Sequence, residues 1–246
     1  MNWFSFFEQS AKARQMIPGL QSHRGYRERG ATENTLASLQ AAADKKYSMV
    51  EIDVRLTADQ VVILHHDPDI QGIFIQKKSF SELTKLKDLT RLEDVFRWLL
   101  AVDDLKINIE LKTNQIRSDL EKAVAELIQR YQLSDRVIIS SFNPLALAYF
   151  KKYHPDIVRA LLLSFEQHPE NKWFLKAMIF NRRARPQALH LRYQDFNLEK
   201  WSWLLPKVPV VLWTCNHSPD VEPWFRQGIH GVISDSITPS SGNLKN

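Results

Sequence analysis

Short β-branched runs alternate along this chain with longer segments of helical period. The runs beginning at Leu20, Met49, Leu105, Val137, Ile157, Ala188, Val208 and Gly231 have the length and composition of strands. Between them, Thr35–Lys46, Leu92–Val102, Ser118–Leu133, Pro144–Tyr153, Lys172–Arg182, Leu198–Leu205 and a segment from Ser218-Pro219 to Gly228 read as helices. The clearest helix is Ser118–Leu133. Leu120, Ala123, Val124, Leu127, Ile128 and Tyr131 form one stripe on it, and Ser118 with Glu121 fits a capping box. Val61–His66 reads as an antiparallel return from the second strand, with Thr57-Ala58-Asp59-Gln60 as its hairpin loop. Eight parallel strands with intervening helices predict an α/β fold, a (β/α)8 TIM barrel with a hairpin after strand 2 and a short insertion before strand 3.

Two strands break the apolar pattern. A strand covered on both faces should be nearly continuously apolar. Yet Met49–Arg55 alternates Val50, Ile52 and Val54 with Glu51, Asp53 and Arg55. Leu105–Lys112 repeats the anomaly, alternating Ile107, Ile109 and Leu111 with Asn108, Glu110 and Lys112. Carboxylates on one face of a buried strand repel unless a cation or proton lies among them. The hairpin brings His65, His66 and Asp67 back toward Asp53. In a barrel the C-terminal strand ends carry the chemistry, and His23, Arg24, Ser141, Trp213 and Asp235 lie at such ends.

Length and composition narrow the reading. The chain has 246 residues, normal for one α/β barrel, and 44% hydrophobic residues for its core. Formal charge is +5, from 33 basic and 28 acidic residues, which favours anionic ligands. No Lys/Arg run or aromatic-basic RNA motif supports nucleic acid, and no Gly-rich fingerprint supports a nucleotide-binding open sheet. The single Cys215 excludes an internal disulfide framework and suits a reducing compartment. Trp3–Phe7 is too short for a signal or spanning segment. It reads as part of an N-terminal helix over 1–18 that packs on the barrel, with weak membrane-surface contact through Trp3–Phe7 or Phe74 as the other use. The barrel is expected over 19–238 and a polar tail over 239–246, with a cytoplasmic location.

The ordered set His23-Arg24-Gly25, Glu33-Asn34-Thr35, Glu51-Ile52-Asp53, His66-Asp67, Glu110-Leu111-Lys112, Ser141-Phe142, Trp213-Thr214 and Gly231–Asp235 resembles the glycerophosphodiester phosphodiesterase family. The resemblance spans about Leu20 to Asp235. It implies a barrel enzyme that hydrolyses glycerophosphodiesters to glycerol 3-phosphate and an alcohol, using one divalent cation. By resemblance, His23 and His66 match the general acid/base pair. Glu51, Asp53 and Glu110 match the metal ligands. Arg24 and Lys112 match phosphate-holding positions, and Trp213 an aromatic wall. Three carboxylates make a hard oxygen site, which suits Ca²⁺ or Mg²⁺ better than Zn²⁺.

The chain departs from the family at Thr32, Gln60 and the short Asp67–Leu92 segment, where Gly72-Ile73-Phe74-Ile75 is apolar. A lysophospholipid-cleaving phosphodiesterase, with Phe74 and Ile75 on acyl chains, is the alternative substrate reading. A non-catalytic phosphate- or lipid-binding barrel is the alternative of another class. His65, His154, His168, His217 and His230 read as structural. His190 and Arg192 share a face near the end of the sixth strand, either lining the pocket or packed.

Overall fold

The computed structural model describes residues 6–27, 32–113, 117–166 and 180–241. Its centre is a closed barrel of parallel strands: β1 (Leu20–Ser22), β2 (Met49–Leu56), β6 (Lys106–Leu111), β7 (Val137–Ser141), β8 (Val158–Leu163), β9 (Ala188–Arg192), β10 (Val210–Trp213) and β11 (Gly231–Ser234). Closure is made by β11 and β2 both pairing with β1, as in Gln21↔Ile233 and Ser22↔Val50. β3 (Val62–Leu64) returns antiparallel along β2, pairing Val54 with Leu64. Gln60 turns that loop in the left-handed region, with φ +62°.

The strand registers advance around the barrel as a shear of 8 requires, so inward side chains stack in layers of four from alternate strands. The lowest layer is Met49, Ile138, Ala188 and Gly231, and above it lie Gln21, Asn108, Ala160 and Val211. Glu51, Ser140, His190 and Ile233 form the third layer. His23, Glu110, Leu162 and Trp213 form the fourth, at the C-terminal mouth. Helix α1 (Ala11–Met16) covers the bottom, where Ala13, Met16 and Ile17 pack against Met49, Ile138, Ala188, Val211 and Ile233. The lowest layer carries no polar side chain, Gln21 and Asn108 enter at the second, and the charged residues Glu51, His23 and Glu110 lie in the upper two beside Ile233, Leu162 and Trp213.

The outward strand faces pack on helices that include α2 (Leu36–Asp44), α4 (Leu92–Leu99), α5 (Asp119–Tyr131) and α6 (Pro144–Tyr153). Thr35 caps α2 in a reciprocal box with Ser38. The box expected at Ser118 is not formed: Ser118 makes no side-chain cap, and Glu121 is turned inward and buried. The α5 stripe is rotated to match. Leu120, Val124 and Ile128 are buried as expected, but Ala125 joins them, while Ala123, Leu127 and Tyr131 are only partly covered. The predicted Lys172–Arg182 helix lies mostly outside the described residues; within them Asn181–Ala184 is helical.

The segment after β3 forms a two-stranded hairpin, β4 (Asp69–Ile70) with β5 (Ile73–Phe74), and a short helix α3 (Phe80–Leu83). Ile63, Ile70, Ile75, Leu83 and Leu89 make a separate small core there. Ile75 is therefore not available to an acyl chain, and only Phe74, at 46% exposure, faces solvent. Phe6 and Phe7 are buried in the main core, which removes them as a membrane contact. Trp3 lies outside the described residues. Among the described residues no helix is long and apolar enough to cross a membrane.

Candidate active site

Period-two alternation sends Glu51 and Asp53 of β2 and Glu110 of β6 into the barrel, and Asp53 and Glu110 are register partners. One oxygen from each of the three carboxylates lies within 4.8 Å of the others, and all three residues are buried. Two cations are set among them. Lys112 Nζ is 2.5 Å from Glu110 Oε1 and 3.1 Å from Asp53 Oδ1. Arg24 Nε is 3.0 Å from Asp53 Oδ2, and the Arg24 backbone N–H donates to Glu51 Oε2 at 3.0 Å. Glu51 Oε1 is buried with no hydrogen-bond partner among the described residues.

Arg24 reaches this position because the chain turns left-handed just past β1, with φ +55° at Arg24 and +83° at Gly25. A Cβ at Gly25 would run into Ser38, so glycine is required where the turn meets α2. The loop before α2 closes the other side. Asn34 Nδ2 donates to Asp53 Oδ2 and Asn34 Oδ1 accepts from the Asp53 backbone N–H, both at 3.0 Å. Glu33 holds the far end of Arg24, with Nη1 to Oε1 at 2.9 Å.

The electrostatics follow from this packing. Burial, then repulsion from Asp53 and Glu110, raises the Glu51 carboxyl well above the usual range. Asp53 is also penalised by burial, but Lys112 and Arg24 win and bring it down to about 2. Lys112 and Arg24 stay charged because their carboxylate neighbours outweigh desolvation. Without a bound cation the cluster thus favours a proton on Glu51. Three buried hard oxygens, one of them unpartnered, fit a divalent cation that would displace that proton.

Each histidine has its own carboxylate. His23 Nδ1 is 2.8 Å from Asp235 Oδ1, which joins the end of β1 to the end of β11. Asp235 also takes Arg27, and Asn216 Nδ2 donates to its other oxygen at 2.9 Å. This network holds Asp235 ionised, far below the usual carboxylate range despite burial. His66 Nδ1 is 2.8 Å from Asp67 Oδ1, while its carbonyl accepts from Arg55 Nε at 2.9 Å and Nη2 at 2.6 Å. Burial and the Lys112 ammonium lower the His66 pKa, partly offset by Asp53, so its ring is neutral near pH 7.

The neighbouring His65 is buried, and its Nδ1 accepts from the Asp67 N–H at 3.2 Å. Its charged neighbours are Lys87, Asp67, Arg55 and His66, not the three carboxylates. His66, by contrast, faces Lys112, Asp53 and Arg24.

Of the residues singled out in the sequence, Arg24, Glu51, Asp53, Glu110 and Lys112 form one contact network, with His66 beside it. His23 and Trp213 share the fourth layer with Glu110. Trp213 meets Phe142 edge-on, with ring centroids 5.7 Å apart and an 87° interplanar angle. His190 faces the barrel interior but is fully buried, one layer below the mouth. Glu33, Asn34, Asp67 and Asp235 are supporting residues to which the sequence reading gave no individual role. Their signal was present in the motifs Glu33-Asn34-Thr35, His66-Asp67 and Ser234-Asp235.

A sequence model of the glycerophosphoryl diester phosphodiesterase family matches residues 23–238. A glycerophosphodiester phosphodiesterase of Bacillus altitudinis is 31% identical over 233 residues, covering 87% of this chain and 93% of the relative. The crystal structure of glycerophosphodiester phosphodiesterase from Thermotoga maritima superposes with TM-score 0.69 at 29% identity, covering 89% of this chain and 95% of that one. An Oleispira antarctica phosphodiesterase, solved in complex with the product sn-glycerol-3-phosphate, gives TM-score 0.76 at 25% identity, covering 91% and 95%.

Proposed function

This chain belongs to the glycerophosphoryl diester phosphodiesterase family, and from that premise we propose how its own residues divide the hydrolysis of a glycerophosphodiester. The observation that carries the reading is the buried cluster of Glu51, Asp53 and Glu110 beside Lys112 and Arg24, with two carboxylate-supported imidazoles at the same mouth. A phosphodiester is an anion that resists attack, so its charge must be offset before a nucleophile can approach. Arg24 and Lys112 supply positive charge at the floor of the mouth. Glu51, Asp53 and Glu110 would hold one Mg²⁺ or Ca²⁺, which when bound supplies further charge neutralisation at the phosphoryl oxygens.

His66, held neutral by its surroundings, is suited to take the proton of the attacking hydroxyl. Asp235 orients the His23 ring through its Nδ1, which suits that ring to deliver a proton to the departing alkoxide. In the first step the glycerol 2-hydroxyl oxygen bonds to phosphorus and passes its proton to His66. The phosphorus–alkoxide bond breaks and the alcohol leaves with the proton from His23. Water then opens the cyclic phosphate with the roles reversed, and glycerol 3-phosphate is released. Trp213 forms an apolar wall for the glycerol carbons. The sn-glycerol-3-phosphate bound in the Oleispira antarctica relative supports a small-molecule substrate of this class.

The test is release of glycerol 3-phosphate from a panel of deacylated phospholipids and lysophospholipids, with chelator and with added Mg²⁺ or Ca²⁺. Activity should vanish in EDTA and return with either cation. Diesters without a hydroxyl next to the phosphate should turn over far more slowly. Glu51→Gln, Asp53→Asn and Glu110→Gln should each lose cation-dependent turnover while remaining folded. Full activity in chelator, with no bound metal by elemental analysis, would defeat the assignment.

A further inference from the structure

His190 is the least explained polar side chain in the barrel. It lies on β9, strand six of the eight, and is fully buried, and neither ring nitrogen has a hydrogen-bond partner among the described residues. Its register neighbours on the two adjacent strands are Leu162 and Val211, both apolar, so the wall beside it offers the ring nothing. What the ring can meet lies across the barrel. Its layer contains Ser140 and Glu51 from strands four and two, and Glu51 comes from the wall opposite His190.

The layer beneath is polar on the same side. Asn108 Nδ2 donates to Gln21 Oε1 at 3.0 Å, and both residues are fully buried. That bond leaves Gln21 Nε2 and Asn108 Oδ1 unpartnered, and Ser140 Oγ is unpartnered too. Five buried polar atoms on four residues thus lie unpartnered in two adjacent layers of the barrel interior, the upper of which holds Glu51. They include fixed donors and acceptors, since Gln21 Nε2 only donates and Asn108 Oδ1 only accepts. Burial holds His190 neutral, so one ring nitrogen donates and the other accepts. Such groups are seldom left unpaired in a native interior, and a polar chamber offering two to four partners is where ordered water binds.

We propose that Gln21, Asn108, Ser140 and His190 build an internal water site, and that His190 acts through it as a positioning residue that holds the Glu51 carboxylate from below. An apolar side chain at 190 would pack against Leu162 and Val211 at no polar cost, so packing does not explain the imidazole. A support under Glu51 does. Glu51 receives one hydrogen bond, from the Arg24 backbone, and its other oxygen must be held in place to serve a cation. Groups that hydrogen-bond a ligating carboxylate from behind are as much part of a metal site as the ligand itself. The role for Glu51 rests on the reading given under Proposed function; the water site does not.

Two measurements test it. A high-resolution crystal structure of the wild-type chain should show ordered water hydrogen-bonded to His190 and to at least one of Ser140, Gln21 and Asn108. Calorimetric titration of Mg²⁺ or Ca²⁺ alone should show His190→Leu binding roughly tenfold or more weakly than wild type. Its metal-free melting temperature should be equal or higher. His190→Gln, which keeps a donor and an acceptor, should stay within about threefold of wild type by the same argument. A dry chamber overturns the water site whatever the titrations show. Water present with unchanged cation affinity in His190→Leu overturns the positioning role, as does equal weakening in His190→Gln. If His190→Leu does not fold, a weakened His190→Gln overturns the role and an unweakened one sustains it. A wild-type chain that binds neither cation defeats the metal reading and the positioning role with it, and the crystal structure alone then decides the water site.

Discussion

Replacing Lys112 by methionine removes a positive charge from the centre of the carboxylate cluster while keeping most of the side-chain volume. In the cation-free protein the cluster is close to balanced. Burial and its carboxylate neighbours favour the protonated form of Glu51, and Asp53 and Glu110 face the guanidinium of Arg24 and the ammonium of Lys112. Lys112→Met leaves Glu110 without its cation, and Asp53 with Arg24 alone. Breaking a buried ion pair by removing one partner costs roughly 3–5 kcal/mol. For a chain of this size, 1 kcal/mol shifts the melting temperature by about 2–4 °C. Lys112→Met should therefore melt roughly 10 °C below wild type in EDTA. Saturating Mg²⁺ or Ca²⁺ restores positive charge to the same volume, so the deficit should shrink by more than half. The stabilisation produced by the cation should be larger in the variant than in wild type. Turnover should still fall, because the phosphate has lost a counter-charge. Differential scanning fluorimetry in chelator and across a cation series measures all of this. An equal deficit with and without cation would refute the reasoning, since Lys112 and the ion would then not share one electrostatic volume.

Two further outcomes are expected. His66→Ala should cost at least ~10²-fold in kcat with little change in melting temperature, whereas His65→Ala should act by roughly 1–3 kcal/mol on stability, because His65 is buried and holds the Asp67 turn. Kinetics and melts of both variants separate the roles, and an inactive but stable His65→Ala protein would reverse them. Glu121 is 2% exposed, and burial pushes its carboxyl up to about 7. The folded state therefore retains a proton that the unfolded chain gives up, and stability should fall as pH rises from about 4.5 to 7. Glu121→Gln should remove that loss of about 3 kcal/mol, raising the melting temperature at pH 8 but not at pH 4.5; an equal gain at both pH values would exclude ionisation as the cause.

The strands were legible as short β-branched runs, and β2 and β6 stood out because their inward faces carry charge. Glu51, Asp53, Glu110 and Lys112 stood out as charges on strands that should have had none. The hairpin was legible from four polar residues between two β-branched runs. Asp235 was harder to read, since its bond to His23 spans the whole barrel and only closure of β11 on β1 creates it. Asn34 was obscured in another way. It looks like an ordinary pre-helix residue, and its left-handed backbone, φ +57°, is what turns its amide onto Asp53. The failed box at Ser118 has a local cause: Glu121 is buried under its own helix instead of reaching back to the cap. Periodicity located the α5 stripe to within one residue position, and packing of the neighbouring helices decided which flank was covered.

The bond between His23 and Asp235 ties the first strand of the barrel to the last. The His23 backbone N–H also donates to the Ser234 carbonyl, at 2.9 Å, so both links cross the same seam. During synthesis His23 leaves the ribosome 212 residues ahead of Asp235. A nascent chain can gather its three carboxylates once β6 is made, yet its first imidazole is oriented only when the final strand docks. On the role proposed for His23, hydrolysis would report that the cylinder has been sealed, and a chain truncated before β11 would carry Glu51, Asp53 and Glu110 but leave His23 without Asp235.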